Sequence, residues 1–188
     1  LNNRPYYQRL VLDQGYWPDS LMTAPSDEAL RRDIELAKEM GFNGCRKHQK
    51  AEDPRFLYWA DRLGYLVWGE IGSCAAFSEE AARRLTEEWA EAITRDYNHP
   101  SIVAWVTVNE SWGVPGAATD TQQQALMLAL YYQAKTLDTT RLVVGNDGWE
   151  MARTDLCAIH NYNHGAPDDQ QAHEAFARSL STREALLQ

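Results

Sequence analysis

Too few cysteines for a disulfide framework, too little basic charge for a nucleic-acid surface and no apolar run long enough for a membrane: these shortages narrow the field first. Cys45, Cys74 and Cys157 are an odd number without C-x-x-C spacing, which argues against both a disulfide scaffold and a zinc site. Each lies in or beside an expected strand and reads as a buried free thiol, which fits a reducing, cytoplasmic setting. Lys and Arg total 18 against 27 Asp and Glu, a net charge of −9. With no basic stripe, no nucleic-acid partner is expected. No stretch approaches the roughly 20 apolar residues that cross a bilayer, and the opening LNNRPYYQRL lacks the layout of a signal peptide. That opening has no initiator Met and enters an element at once, so the expectation is a segment of a longer protein. The turn Asp13-Gln14-Gly15-Tyr16-Trp17-Pro18 carries no phosphate-cradling glycine pattern, and no cofactor is expected. His160 and His164 are four apart, but they straddle a strand end and a turn rather than one helix face, so no metal is expected.

What is present is an alternation. Strand-like runs occur at residues 7–13, 43–49, 65–70, 102–108, 142–146 and 156–160. Between them lie amphipathic helical segments. Ser26 precedes Asp27 and Glu28 as an N-cap with acids in the first turn. Leu30, Ile34 and Ala37 repeat at helical spacing and Gly41 stops them. Asp53-Pro54 opens a second helix, Ser78 a third that ends at His99-Pro100, and residues 121–138 form a fourth. A last helix is expected near Ser181-Thr182. Strands alternating with helices imply a parallel sheet with helical crossovers. Two architectures compete, an open doubly wound sheet and a closed barrel. Polar or aromatic residues follow almost every strand, as they do where a barrel gathers its strand ends into one ring. The fold expected is therefore α/β, a (β/α)8 TIM barrel that is incomplete, with about six strands. Only about ten residues separate the fifth and sixth runs, short for a parallel crossover.

The stretch IVAWVTVNESWG (102–113) sets Glu110 where an apolar strand opens into a loop. Glycosidic hydrolysis needs two carboxyl groups, one to protonate the leaving oxygen and one to attack or activate water. Partial desolvation suits Glu110 to the first task, and the Asn109 amide beside it can hold a sugar hydroxyl. The plain alternative is a loop carboxylate paired with Arg46. Trp17, Trp68, Trp112 and Trp149 lie at or past strand ends, where flat aromatic faces can take the apolar face of a pyranose. Trp59, Trp89 and Trp105 read as core. Arg46 and His48 read as ring-facing polar residues, with Lys47 turned the other way by strand alternation. Asp13, Glu70, Asp147 and His160 complete the strand-end set.

With these residues in view, the stretches LDQGYWPD (12–19), DIELAKEMGFNGCRKHQK (33–50), FLYWADRLGYLVWGE (56–70), RDYNHPSIVAWVTVNESWG (95–113) and LDTTRLVVGNDGW (137–149) resemble the catalytic barrel of glycoside hydrolase family 2, the family of β-galactosidases, β-glucuronidases and β-mannosidases. The resemblance implies a carbohydrate substrate and a retaining mechanism with Glu110 as general acid/base. It also implies that Asn109 contacts the sugar 2-hydroxyl, that Arg46 and His48 line the pocket, and that Tyr162 touches the nucleophile. The family's nucleophile is a glutamate ending the seventh strand, which this sequence does not reach, and the amino-terminal β-sandwich domains are absent as well. Glu70 and Asp147 are poor substitutes, because strand neighbours set their acids side by side rather than across a sugar ring.

The leading expectation is therefore a fragment of a retaining β-glycosidase, inactive by itself. A sugar-binding module and a self-associating structural fragment are the other readings. The first and sixth strands lack the lysines and prolines that blunt sheet edges, so a homo-oligomer through the open edges is expected.

Overall fold

The computed structural model describes residues 1–162 and 166–182. The chain divides into two compact units, Leu1–Ala158 and Ile159–Gln188.

The first unit is built on five parallel strands: β1 (Leu10–Asp13), β2 (Gly44–Lys47), β3 (Leu66–Glu70), β4 (Ile102–Val106) and β5 (Leu142–Val144). Four helices link them: α1 (Asp27–Glu39), α2 (Pro54–Leu63), α3 (Glu79–Asp96) and α4 (Thr121–Leu137). The expected caps are in place. Ser26 accepts from the Ala29 amide at 3.1 Å, Asp53 from Arg55 at 2.9 Å and Ser78 from Ala81 at 3.1 Å, each satisfying a donor that the first helical turn leaves over.

Sheet order settles which of the two architectures the strands follow. The strands lie in chain order, β1-β2-β3-β4-β5, with no reversal. A doubly wound sheet reverses its order at a switch point. Parallel crossovers are right-handed, so an unreversed order puts every helix on one face and leaves the other for the inside of a barrel. The sheet is an incomplete α/β barrel. Its core is aromatic and aliphatic. Trp89 and Trp105 pack edge to face with centroids 5.8 Å apart, among Leu30, Phe56, Val67 and Leu130, all at most 2% exposed.

Three expectations need correction. No sixth strand forms over Leu156–His160, so the sheet has five strands among the described residues rather than about six. The reason is local: the outer edge of β5 is already occupied. The Asp155 amide donates to Val143 O at 2.8 Å, the Val143 amide donates to Asp155 Oδ2 at 2.9 Å, and the Gly145 amide reaches Thr154 Oγ1 at 3.3 Å. These side chains use the donors and acceptors that another strand would need. Gly145 permits the approach, since a Cβ there would collide with the Arg153 carbonyl. Without a sixth strand Cys157 is exposed rather than buried; Cys74 is partly exposed, and Cys45 alone is buried. The last helix, α5, runs over Gln170–Ser179 in the second unit, capped by Asp169, and not from Ser181. Residues 183–188 and His164 lie outside the described residues. Among the described residues no helix is long and apolar enough to cross a membrane.

Candidate active site

The carboxyl ends of β2 to β5 deliver one polar cluster, and Arg46 is its hub. A parallel strand exposes its last residues at one end of the sheet, so the residues ending neighbouring strands converge. Arg46, in β2, donates through Nε to Glu70 Oε2 at 2.6 Å and through Nη2 to Asn109 Oδ1 at 2.8 Å. Its Nη1 pairs with Asp147 Oδ2. Glu70 ends β3, while Asn109 and Asp147 lie just beyond β4 and β5. The planar guanidinium serves three partners at once because its donors form a fixed fork. Glu70 is 3% exposed and also accepts from the Gln49 amide at 2.8 Å. A charged network this deep holds only when every partner is in place.

His48 Nδ1 stands 3.3 Å from Glu70 Oε1, close enough for an ion pair if the ring is protonated, but outside hydrogen-bond geometry. A buried ring nitrogen is thus left over beside the hub.

Beyond the cluster, the β4–β5 pairing continues through Asn109 and Asp147. The Glu110 amide donates to Asp147 O at 3.0 Å and the Asp147 amide to Val108 O at 2.8 Å. The backbone then turns sharply. Glu110 and Ser111 both have left-handed conformations, with φ of 47° and 58°. For residues with a Cβ such conformations cost of order 1–3 kcal/mol each, and they gather where function over-determines the backbone. Asn146, fully buried, holds the turn. Its Oδ1 accepts from the Ser111 amide at 3.0 Å, while its Nδ2 donates to Ser111 Oγ at 2.9 Å and to Glu150 O at 2.7 Å. Gly113, at φ 80°, lets the same loop pass Cys74, whose O and Sγ would stand 2.8 Å from a Cβ.

Glu110 is half-buried. With Ser111, Trp112, Trp149 and Glu150 it lines an open cleft of about 460 Å³.

The expected site residues therefore fall into groups. Arg46, Glu70, Asn109 and Asp147 come together with His48 beside them, and Glu110, Trp112 and Trp149 share the adjoining cleft. Asp13 lies elsewhere. It pairs with Lys47 Nζ at 2.5 Å and caps the Gly15 amide at 2.8 Å, and Lys47 also reaches Glu52 at 2.6 Å. Both faces of β2 are buried, as in a parallel sheet covered on both sides, so Lys47 turns away from Arg46 into a second charged cluster rather than to solvent. Burial by itself would lower its pKa, but Asp13 and Glu52 together outweigh that effect and hold it above the ordinary lysine value. Trp17 packs against the core and bridges to Leu21. His160 and Tyr162 belong to the second unit, where their rings meet edge to face at 6.3 Å. Asn146, Ser111 and Glu150 were not singled out in the sequence. The Asn-Asp-Gly-Trp-Glu run at 146–150, polar from the last residue of an apolar strand onward, is the signal that carries two of them.

Comparison with known proteins bears on the family and the fold. Residues 23–185 match the family described as Glycosyl hydrolases family 2, TIM barrel domain. Beta-galactosidase 2 of Enterobacter cloacae is 32% identical over 167 residues, covering 83% of this chain and 15% of that protein. Among solved structures, the beta-glucuronidase of Parabacteroides merdae superposes with a TM-score of 0.68 at 26% identity, over 76% of this chain and 19% of that one. A family 2 beta-galacturonidase from Eisenbergiella tayi, bound to galacturonate, gives 0.60 at 29% identity, over 71% and 24%. The chain spans about 15% of the length of the curated relatives it matches.

Proposed function

The chain belongs to glycosyl hydrolase family 2, by its match to that family's TIM barrel domain, and on that premise we propose that it is part of the catalytic barrel of a retaining β-glycosidase that cleaves O-glycosidic bonds of carbohydrates. In this reading Glu110 is the general acid/base. The observation that carries it is the left-handed turn at Glu110 and Ser111, clamped by buried Asn146, which holds one carboxylate at the mouth of a cleft directly beside the Arg46 cluster.

The chemistry follows from the placement. Asn109 faces the hub, its Oδ1 held by Arg46, so its amide NH₂ is oriented to meet a sugar hydroxyl. His48 and the hub surround the sugar being transferred. Glu110 gives its proton to the glycosidic oxygen as the bond to the anomeric carbon breaks, and later takes a proton from the water that releases the sugar. Glu70 and Asp147 are both held by Arg46, on the two strands that flank the strand leading to Glu110. A retaining nucleophile stands about 5–5.5 Å from the acid, across the scissile bond. Neither residue serves in this reading; the nucleophile comes from sequence outside the 188 residues, as does the rest of the barrel. Three unpaired thiols support a reducing, cytoplasmic setting.

The test is the stereochemistry of the first product. Proton NMR of a β-glycoside in the presence of the intact glycosidase should show the β-anomer released first and the α-anomer only later, by mutarotation. The isolated 188-residue chain should release nothing above background. First release of the α-anomer would exclude the retaining assignment, and turnover by the isolated chain would exclude an external nucleophile.

The sheet edges support self-association of the isolated chain, through one edge rather than two. The edge of β5 is covered by residues 153–156, whereas β1 is open and its Leu12 is 56% exposed. Light scattering after size exclusion should give a mass of at least two chains. A stable monomer near 21.4 kDa would show that β1 is shielded as well.

A further inference from the structure

From the cleft beside Glu110 we infer a subsite for the departing half of the substrate, in which Trp112 and Trp149 take a sugar face and Glu150 selects against acidic leaving groups. The inference rests on the proposal that Glu110 is the proton donor, and it adds a substrate preference to it.

The argument begins with sides. A general acid lies within hydrogen-bond reach of the oxygen it protonates, about 2.6–3.2 Å. That oxygen leaves with the departing group, so the departing group occupies the space that Glu110 borders. Glu110 borders the cleft with Trp112, Trp149 and Glu150; Arg46 and Glu70 do not line it. The two halves of the substrate are thereby separated, the transferred sugar at the Arg46 hub and the leaving group in the cleft.

The lining then sets the chemistry. Trp112 and Trp149 are 55% and 41% exposed, unlike Trp89 and Trp105, which fill the core. Two indoles each about half exposed at a cleft offer flat apolar surface to a pyranose ring. The polar complement is a carboxylate. Glu150 Oε2 stands 3.5 Å from Ser111 Oγ, and the Glu150 backbone is fixed by the same Asn146 that clamps the Glu110 turn. An ionised carboxylate only accepts hydrogen bonds, so its partner must bring donors, as sugar hydroxyls or an ammonium group do. A uronate in the same place would set a second negative charge against Glu150. At about 4 Å in a water-filled cleft that repulsion is worth roughly a fivefold to tenfold loss of affinity.

The experiment reads binding on the 188-residue chain without turnover. The seven tryptophans are replaced by 5-fluorotryptophan, and the fluorine signals of positions 112 and 149 are identified with Trp112→Phe and Trp149→Phe. Methyl β-glucoside and glucuronate are the probes. Saturable shifts confined to those two signals are expected, with glucuronate binding roughly fivefold to tenfold more weakly than the glucoside. Glu150→Gln keeps the side chain's size and removes its charge, so it should bring the two affinities together. Shifts that avoid both signals, no saturable shift, or equal affinities for the two probes in the unsubstituted chain would overturn the inference. Since nothing is hydrolysed, failure here is distinct from failure of the Glu110 assignment, which turnover measurements judge.

Discussion

Replacing Glu110 with Gln in the intact glycosidase is expected to lower the turnover of a β-linked disaccharide by roughly 10²–10⁴-fold, the usual worth of a positioned acid. The amide is nearly isosteric and keeps a hydrogen-bonding oxygen, so the clamped turn and the cleft should survive. The proton is lost. An alkyl or sugar leaving group departs poorly as an alkoxide, so it suffers most; an activated aryl leaving group needs little protonation and should suffer less in the bond-breaking step. The comparison therefore contains its own control, because a damaged fold would slow both substrates equally. The alkaline limb of the kcat/KM profile, which reports the acid, should also vanish. Undiminished disaccharide turnover by the variant would remove Glu110 from the mechanism.

The second large effect lies far from the site, at the opposite end of the strands. Asp138 is fully buried. Its carboxylate accepts from Trp105 Nε1 at 2.9 Å, from the Thr140 amide at 2.8 Å and Oγ1 at 2.6 Å, and from Arg141 Nη1 at 2.6 Å. Arg141 in turn donates to the carbonyls of Ile102, Tyr97 and His99. One buried ion pair thus ties the end of α4 to the end of α3 and the start of β4. Asp138→Ala strands the guanidinium and the indole N–H together, and such losses cost about 3–5 kcal/mol. Urea titration at neutral pH should show the midpoint falling accordingly. A shift below about 1 kcal/mol would mean that water replaces the carboxylate, which a fully buried site should not allow.

Acid sharpens the same test. Burial by itself would raise the pKa of Asp138, but the hydrogen bonds from Thr140, Arg141 and Trp105 outweigh it and hold the carboxyl well below its ordinary range. A folded value below the unfolded one means that the stabilisation is complete above the unfolded value, about 3.8, and is lost as pH falls towards the folded value. Asp155 and Glu52 are lowered as well and act in the same direction. Asp33 is raised, by burial and by the charge of Asp13, and opposes them. The chain should therefore lose stability below about pH 4, and Asp138→Ala should flatten that decline.

The sequence revealed most where one side chain does one local job. Ser26, Asp53 and Ser78 cap their helices through their own hydroxyl or carboxylate, so their meaning does not depend on the rest of the chain. The first five strands were legible from the strand–helix alternation, though each was read one to three residues too long, since residue type does not mark where ladder bonding begins and ends. LCAIH is as apolar as the others and fails as a strand because Thr154 and Asp155 take the β5 edge first; that is a contest between segments, invisible in either one. The helix at 170–179 escaped notice although its sequence is amphipathic; none of its residues is buried. At the site, the strand-end rule brought Arg46, Glu70, Asn109 and Asp147 together correctly. It grouped Asp13 with them because strand alternation says which way Lys47 points but not that acids wait there. Asn146 was hidden by its position as the last residue of an apolar run, where its amide looked incidental.

The unreversed strand order bears on how the sheet is made. Each strand pairs with the one just before it in the chain, so every ladder closes over a single crossover and no pairing waits for a distant segment. Low sequence separation keeps the loop-closure cost small. On a ribosome the sheet can grow by one strand as each α/β unit emerges, in the order in which chains are synthesised. Through that process the newest strand always presents a fresh edge, and β1 keeps the oldest. The side chains of Thr154 and Asp155 on the β5 edge give the growing sheet a resting point, held until a further strand takes their place.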